Sequence, residues 1–176
     1  MDRYHEGGFW VVQSHGGTLT AHPQPDKMKT ENLKSGYETV FTVTDYYGHP
    51  RKGIANYRAK PHFYKCVSKK RKNHDSGLFQ LTPLDSETFE LAMEHWEIWR
   101  RWLVAFYARK TDISTGPALP REASRHAELT RILDKLLVSD PEKSITRIGQ
   151  FEVLQEPSLP TNVIRQLQVK WIKPVD

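Results

Sequence analysis

The chain has 176 residues, a net charge of +5 and 38% hydrophobic residues, enough for one domain, or one with a short appendage, and its own core. A single cysteine, Cys66, excludes an internal disulfide and any cysteine-cluster metal site. No apolar run approaches the length of a membrane span, and MDRYHEGGFW lacks the order of a signal peptide, so a cytoplasmic protein without membrane contact is expected.

Residues 1–36 read as an N-terminal appendage ahead of a single domain at 37–176. Phe9 to Gln13 has the composition of an edge strand, but it stands between Gly7-Gly8 and Gly16-Gly17, and the polar, turn-rich stretch after it reads as a linker. A strand is predicted from Tyr37 to Tyr47, where Thr39, Phe41, Val43, Asp45 and Tyr47 share a face; Phe41 and Val43 mark it as buried. GHPRKG supplies a turn. Ile54 to Arg58 and His62 to Val67 follow as two short strands completing an antiparallel meander, then SKKRKNHDSG reads as a loop and LFQL as a strand.

Asp85 to Lys110 is predicted to be one long helix holding three of the five tryptophans, with Asp85 as N-cap and Leu84 and Phe89 as a hydrophobic staple. Phe89, Ala92, Trp96, Trp99, Leu103 and Phe106 form its apolar stripe, and Leu91, Ile98 and Trp102 lie along the flank. Glu90, Glu94, Glu97 and Arg101 mark the solvent side, with Glu97 and Arg101 spaced for an ion pair. A second helix is expected at 121–138, with Leu129, Ile132, Leu133, Leu136 and Leu137 on one face. Strands return at Ile145 to Leu154 and at Ile164 to Ile172, where Leu167, Val169 and Trp171 alternate with Gln166, Gln168 and Lys170 as buried and wet faces. The order of strands, two helices and strands predicts an α+β fold: a twisted antiparallel sheet, or a small partial barrel, packed against two helices.

Three function classes follow. From Tyr46 to His74 there is no acidic residue, while nine of the 26 basic residues fall there. The remaining 17 face 21 acidic ones, so the positive field is local. Phosphate backbones bind clustered cations, and bases stack on aromatic rings. A non-enzymatic nucleic-acid-binding surface is therefore predicted, with Arg51, Lys52, Lys69, Lys70, Arg71 and Lys72 on phosphates and Tyr57 and Tyr64 stacking. RNA or single-stranded DNA is the expected partner, and an anionic protein would read the same charges.

The second class is a metal-independent hydrolase or nuclease in which Asp45 orients His49 and His62 for acid/base work. It competes with a structural reading in which Asp45 bonds to the turn. The third is a protein-interaction subunit, or an oligomer, using Leu91, Ile98 and Trp102. No cofactor and no metal site is predicted: the glycine-rich phosphate loop, GxSxG, HExxH and CxxC patterns are all missing, and no two histidines stand at i, i+4 spacing.

Overall fold

Six strands, each antiparallel to its neighbours, close in chain order into a barrel, and two helices are inserted between the fourth and fifth. The computed structural model describes residues 33–67, 76–157 and 164–175. The strands are β1 (Glu38–Tyr46), β2 (Pro50–Tyr57), β3 (Lys60–Cys66), β4 (Ser76–Pro83), β5 (Ile145–Gln155) and β6 (Gln166–Ile172); α1 spans Ser86–Tyr107 and α2 Ala123–Leu136. The α+β class stands, with a sheet that is closed where a twisted or partial one was expected. The edge strand expected at Phe9 to Gln13 lies outside the described residues.

The barrel has no room for a ligand in its middle. Tyr64, Phe79, Phe151 and Trp171 point inward, with ring centroids between 5.4 and 6.1 Å apart. Val40, Ala55, Leu81, Leu167 and Val169 pack around them. So many rings fit because glycines face them: a Cβ on Gly149 would lie 2.7 Å from Trp171, and one on Gly53 would lie 2.6 Å from the Tyr64 hydroxyl. The two polar tips are satisfied by carbonyls. The Tyr64 hydroxyl donates to Thr42 O at 3.0 Å and the Trp171 indole to Asn56 O at 2.7 Å.

Two expected strand faces change. In β1 the register slips between Val40 and Thr42 and again between Val43 and Asp45. These bulges break strict alternation, so Val40 packs inside while Phe41 packs with the helices outside, its ring 5.0 Å from Phe89. In β6 Gln168 is 1% exposed where a wet position was expected. Residues just before β1 cross this strand, and the Lys34 amide donates to Gln168 Oε1 at 3.0 Å.

Helix α1 begins as its sequence dictates. Asp85 Oδ1 accepts from the Thr88 amide at 2.7 Å, and Leu84 and Phe89 share one apolar cluster. That cluster joins Ile54 of β2 to Ala92 and Ile98 of α1 and to Leu129 and Leu133 of α2, so the helix pair sits on the outside of the barrel. Trp96, Trp99, Trp102 and Leu103 form a further cluster. The ion pairs differ from the expected i, i+4 set. Arg125 of α2 forks onto Glu94 at 2.8 and 2.7 Å, Arg101 reaches Glu122, and Glu97 takes Arg100. No described helix is long and apolar enough to cross a membrane.

Candidate functional site

With the interior filled, chemistry is confined to the barrel's two ends and its outer wall. At the upper end β1 turns into β2 through Tyr47, Gly48 and His49. Gly48 takes φ 67°, a left-handed conformation that glycine adopts without strain, and the Tyr47 amide donates to His49 O at 3.1 Å. This tight turn pushes Tyr47 out to 73% exposure and draws His49 in to 8%.

Just below the turn, Lys52 of β2 stands directly opposite Lys65 of β3. The Lys52 ammonium lies 5.7 Å from the Phe63 ring centroid, and Arg51 beside it is exposed. None of these three cations forms an ion pair with a described carboxylate, although Asp45 is the β1 register partner of Lys52. The chain leaves β3 and enters β4 at this same end. Lys69, Lys70, Arg71 and Lys72 belong to that connection and lie outside the described residues.

The two tyrosines predicted to stack have other tasks. Tyr64 is 0% exposed at the barrel centre, and burial pushes its phenol well up, with the charge of Asp45 adding to the effect. No base can reach it. Tyr57 is half-buried at the lower end of β2, five residues from Lys52 or roughly 17 Å along an extended strand. The exposed ring at the upper turn is Tyr47, which the sequence places among the aromatics interleaved with the basic residues but not among the two expected to stack. Its signal was the glycine after it, which makes residue 47 part of the turn.

The proposed acid/base set is divided between the ends. His49 sits at the upper one, Nε2 3.8 Å from Cys66 Sγ and its ring centroid 6.3 Å from that of Phe79. Asp45 is half-buried on the same side, close enough to raise the Tyr64 phenol. His62 pairs in register with Ala55 and Pro83 at the lower end, its Nδ1 2.8 Å from Lys60 O. Five residues of β2 separate the levels of His49 and His62, so the two imidazoles share no pocket. No protein-family model, no curated protein and no solved structure matches this chain. The described residues contain no group of three or more His, Cys, Asp or Glu arranged to hold a metal ion.

The flank of the tryptophan helix is covered. Ile98 is 2% and Trp102 6% exposed, and Leu91 packs half-buried against the same cluster as Ile98. Helix α2 covers Ile98, while the turn at Ile113–Thr115 covers Trp102, whose indole donates to Thr115 Oγ1 at 3.1 Å. Helical periodicity reports which residues are apolar; it cannot report that a second helix and a turn divide a wide apolar face between them.

His95 and His126, on α1 and α2, stack at 4.2 Å between centroids, with His95 Nε2 3.0 Å from Thr130 Oγ1. Burial, followed by the charge of His126, lowers the His95 pKa to about 4, and burial lowers that of His126 as well. Both rings serve the helix interface in their neutral form.

Proposed function

We propose that the protein is a non-enzymatic binder of single-stranded nucleic acid, RNA or DNA, engaged at the upper end of the barrel. Arg51, Lys52 and Lys65 contact phosphates and Tyr47 stacks on a base; Lys69, Lys70, Arg71 and Lys72, expected from the sequence to do the same as the first three, lie outside the described residues. One observation carries the reading: Lys52 and Lys65 lie directly opposite each other without an ion-paired carboxylate. Like charges at facing positions are destabilising, and a polyanion laid across both strands relieves that cost. The hydrolase reading loses the convergence it needs, and the interaction-subunit reading loses its exposed flank.

The test is a salt titration of binding to fluorescent single-stranded RNA, single-stranded DNA and duplex DNA. For a single strand the logarithm of affinity falls with the logarithm of salt by about 0.7 per phosphate contacted. Lys52→Glu with Lys65→Glu should reduce that slope by about 1.4 or more and weaken binding at physiological salt. An unchanged slope, or binding confined to low salt, overturns the proposal and leaves an anionic protein as the partner to seek.

A further inference from the structure

The lower end of the barrel carries a second cationic group, built differently from the first. Arg147 of β5 pairs in register with Phe79 and stands between Ile145 and Gly149, in an alternation that otherwise places side chains inside the barrel. An arginine at such a position needs a reason. Its guanidinium donates from Nη2 to the Tyr57 hydroxyl at 2.9 Å and from Nε to the same oxygen at 3.3 Å, while Nη1 donates to Thr146 O at 2.7 Å. It forms no ion pair with a described carboxylate.

Tyr57 carries a second guanidinium as well. Arg58 Cζ lies 5.3 Å and Arg147 Cζ 5.2 Å from the ring centroid. Arg58 is exposed and likewise lacks an ion pair, and its φ of 53°, followed by 59° at Ala59, is left-handed backbone in which neither residue has glycine's freedom. Turns of this shape ordinarily use Asn-Gly. Glu38 accepts the Ala59 amide at 3.3 Å and forms no ion pair with either arginine. His62 closes the group, its ring edge-on to Tyr57 at 5.5 Å.

We propose that Tyr57, Arg58 and Arg147 form a binding site for a phosphate monoester. The Tyr57 oxygen already accepts two N–H groups from Arg147, so its own O–H is left to donate to a ligand oxygen. Arg147 keeps two further N–H donors on its planar fork, and Arg58, on an exposed turn, brings a second fork to 5.3 Å from the centroid of the same ring. Donors from three groups suit the several oxygens of a tetrahedral dianion better than the two coplanar oxygens of a carboxylate. The site lies at the opposite end of β2 from Lys52, so it goes beyond the nucleic-acid reading and does not depend on it.

Isothermal titration at fixed ionic strength, with inorganic phosphate and an alkyl phosphate monoester as probes and acetate as comparison, decides the matter. Saturable binding of both phosphates, at least tenfold tighter than acetate, is expected. Arg58→Gln should weaken it at least tenfold, and Arg147→Met, which keeps the stem packed in the barrel, should abolish it. Lys52→Glu with Lys65→Glu should leave it unchanged. If Arg147→Met fails to fold, the exposed Arg58 carries the test alone. Phosphate binding no tighter than acetate, or unaltered by Arg58→Gln, or lost in the Lys52 and Lys65 variant, overturns the proposal.

Discussion

Gly149 lies against the indole of Trp171: a Cβ added there would come within 2.7 Å of the indole and 2.9 Å of Phe79. Both neighbours are interior rings locked among other rings, so neither can yield cheaply. Gly149→Ala is therefore expected to destabilise the fold by about 1–3 kcal/mol, the usual range for overpacking. In a domain of this size that lowers Tm by roughly 2–12 °C. Thermal unfolding followed by near-ultraviolet circular dichroism measures it directly; an unchanged Tm would mean that the rings are less tightly held than their spacing implies.

The stacked pair His95 and His126 makes stability depend on pH. His95 has a folded pKa of about 4 against an ordinary 6.5, so between these values the unfolded chain binds the proton that the folded one refuses. Its contribution is complete above about pH 6.5 and is lost as pH falls toward about 4; below that both states are protonated and the loss stops. The ring is only partly buried, and after allowance for solvent screening the loss amounts to about 1–2 kcal/mol. His95→Gln, which can still bond to Thr130, should lessen the fall in Tm between pH 7 and pH 4.5, of which His95 accounts for about 2–8 °C in the parent chain, and leave the part that His126 contributes. A variant with the same slope as the parent would move the pH dependence to other groups.

How much of this architecture was legible in the sequence depended on the range of the interaction involved. Asp85, Leu84 and Phe89 declare the start of α1 because capping is decided within five residues. The fate of Gln168 was not legible. Its burial depends on Lys34, 134 positions away in the chain, and no local pattern carries that. The same division runs through the candidate site. Lys52 and Lys65 could be named as basic, but only the β2–β3 register sets them face to face. Nothing in the sequence around Arg147 marks it, and only the closure of the barrel brings it against Tyr57. Strand periodicity assigns faces to residues, and it was the bulges in β1 that reassigned Phe41.

The boundary placed at residue 37 is therefore testable by truncation. The seam between β1 and β6 is only two residue pairs long, Glu38 with Val169 and Thr39 with Gln168. Residues just ahead of it act as a strap: the Lys34 amide bonds Gln168, and both the Lys34 ammonium and the Tyr37 hydroxyl bond Glu152. A chain starting at Tyr37 should melt at least a few degrees lower than one starting at Leu33, since a buried side-chain acceptor left unmet costs about 1–3 kcal/mol. Hydrogen exchange should quicken first at Thr39 and Val169 in the shorter chain. Equal Tm values for the two truncations would show that the strap adds nothing and that the domain begins at residue 37.

Tyr47 and Tyr64 separate binding from folding. Tyr47 is 73% exposed at the upper turn, so Tyr47→Ala removes a stacking surface without opening the core. Single-strand affinity should fall by the equivalent of about 1–3 kcal/mol, roughly five- to 150-fold. Tyr64 is fully buried, and its hydroxyl satisfies Thr42 O in the barrel. Tyr64→Phe leaves that carbonyl unmet and should cost about 1–3 kcal/mol of stability while affinity for single strands stays the same. Paired binding and melting curves for the two variants give four readouts. If Tyr47→Ala binds as well as the parent chain, the contact is with phosphates alone, and the salt slope then carries the whole of the affinity.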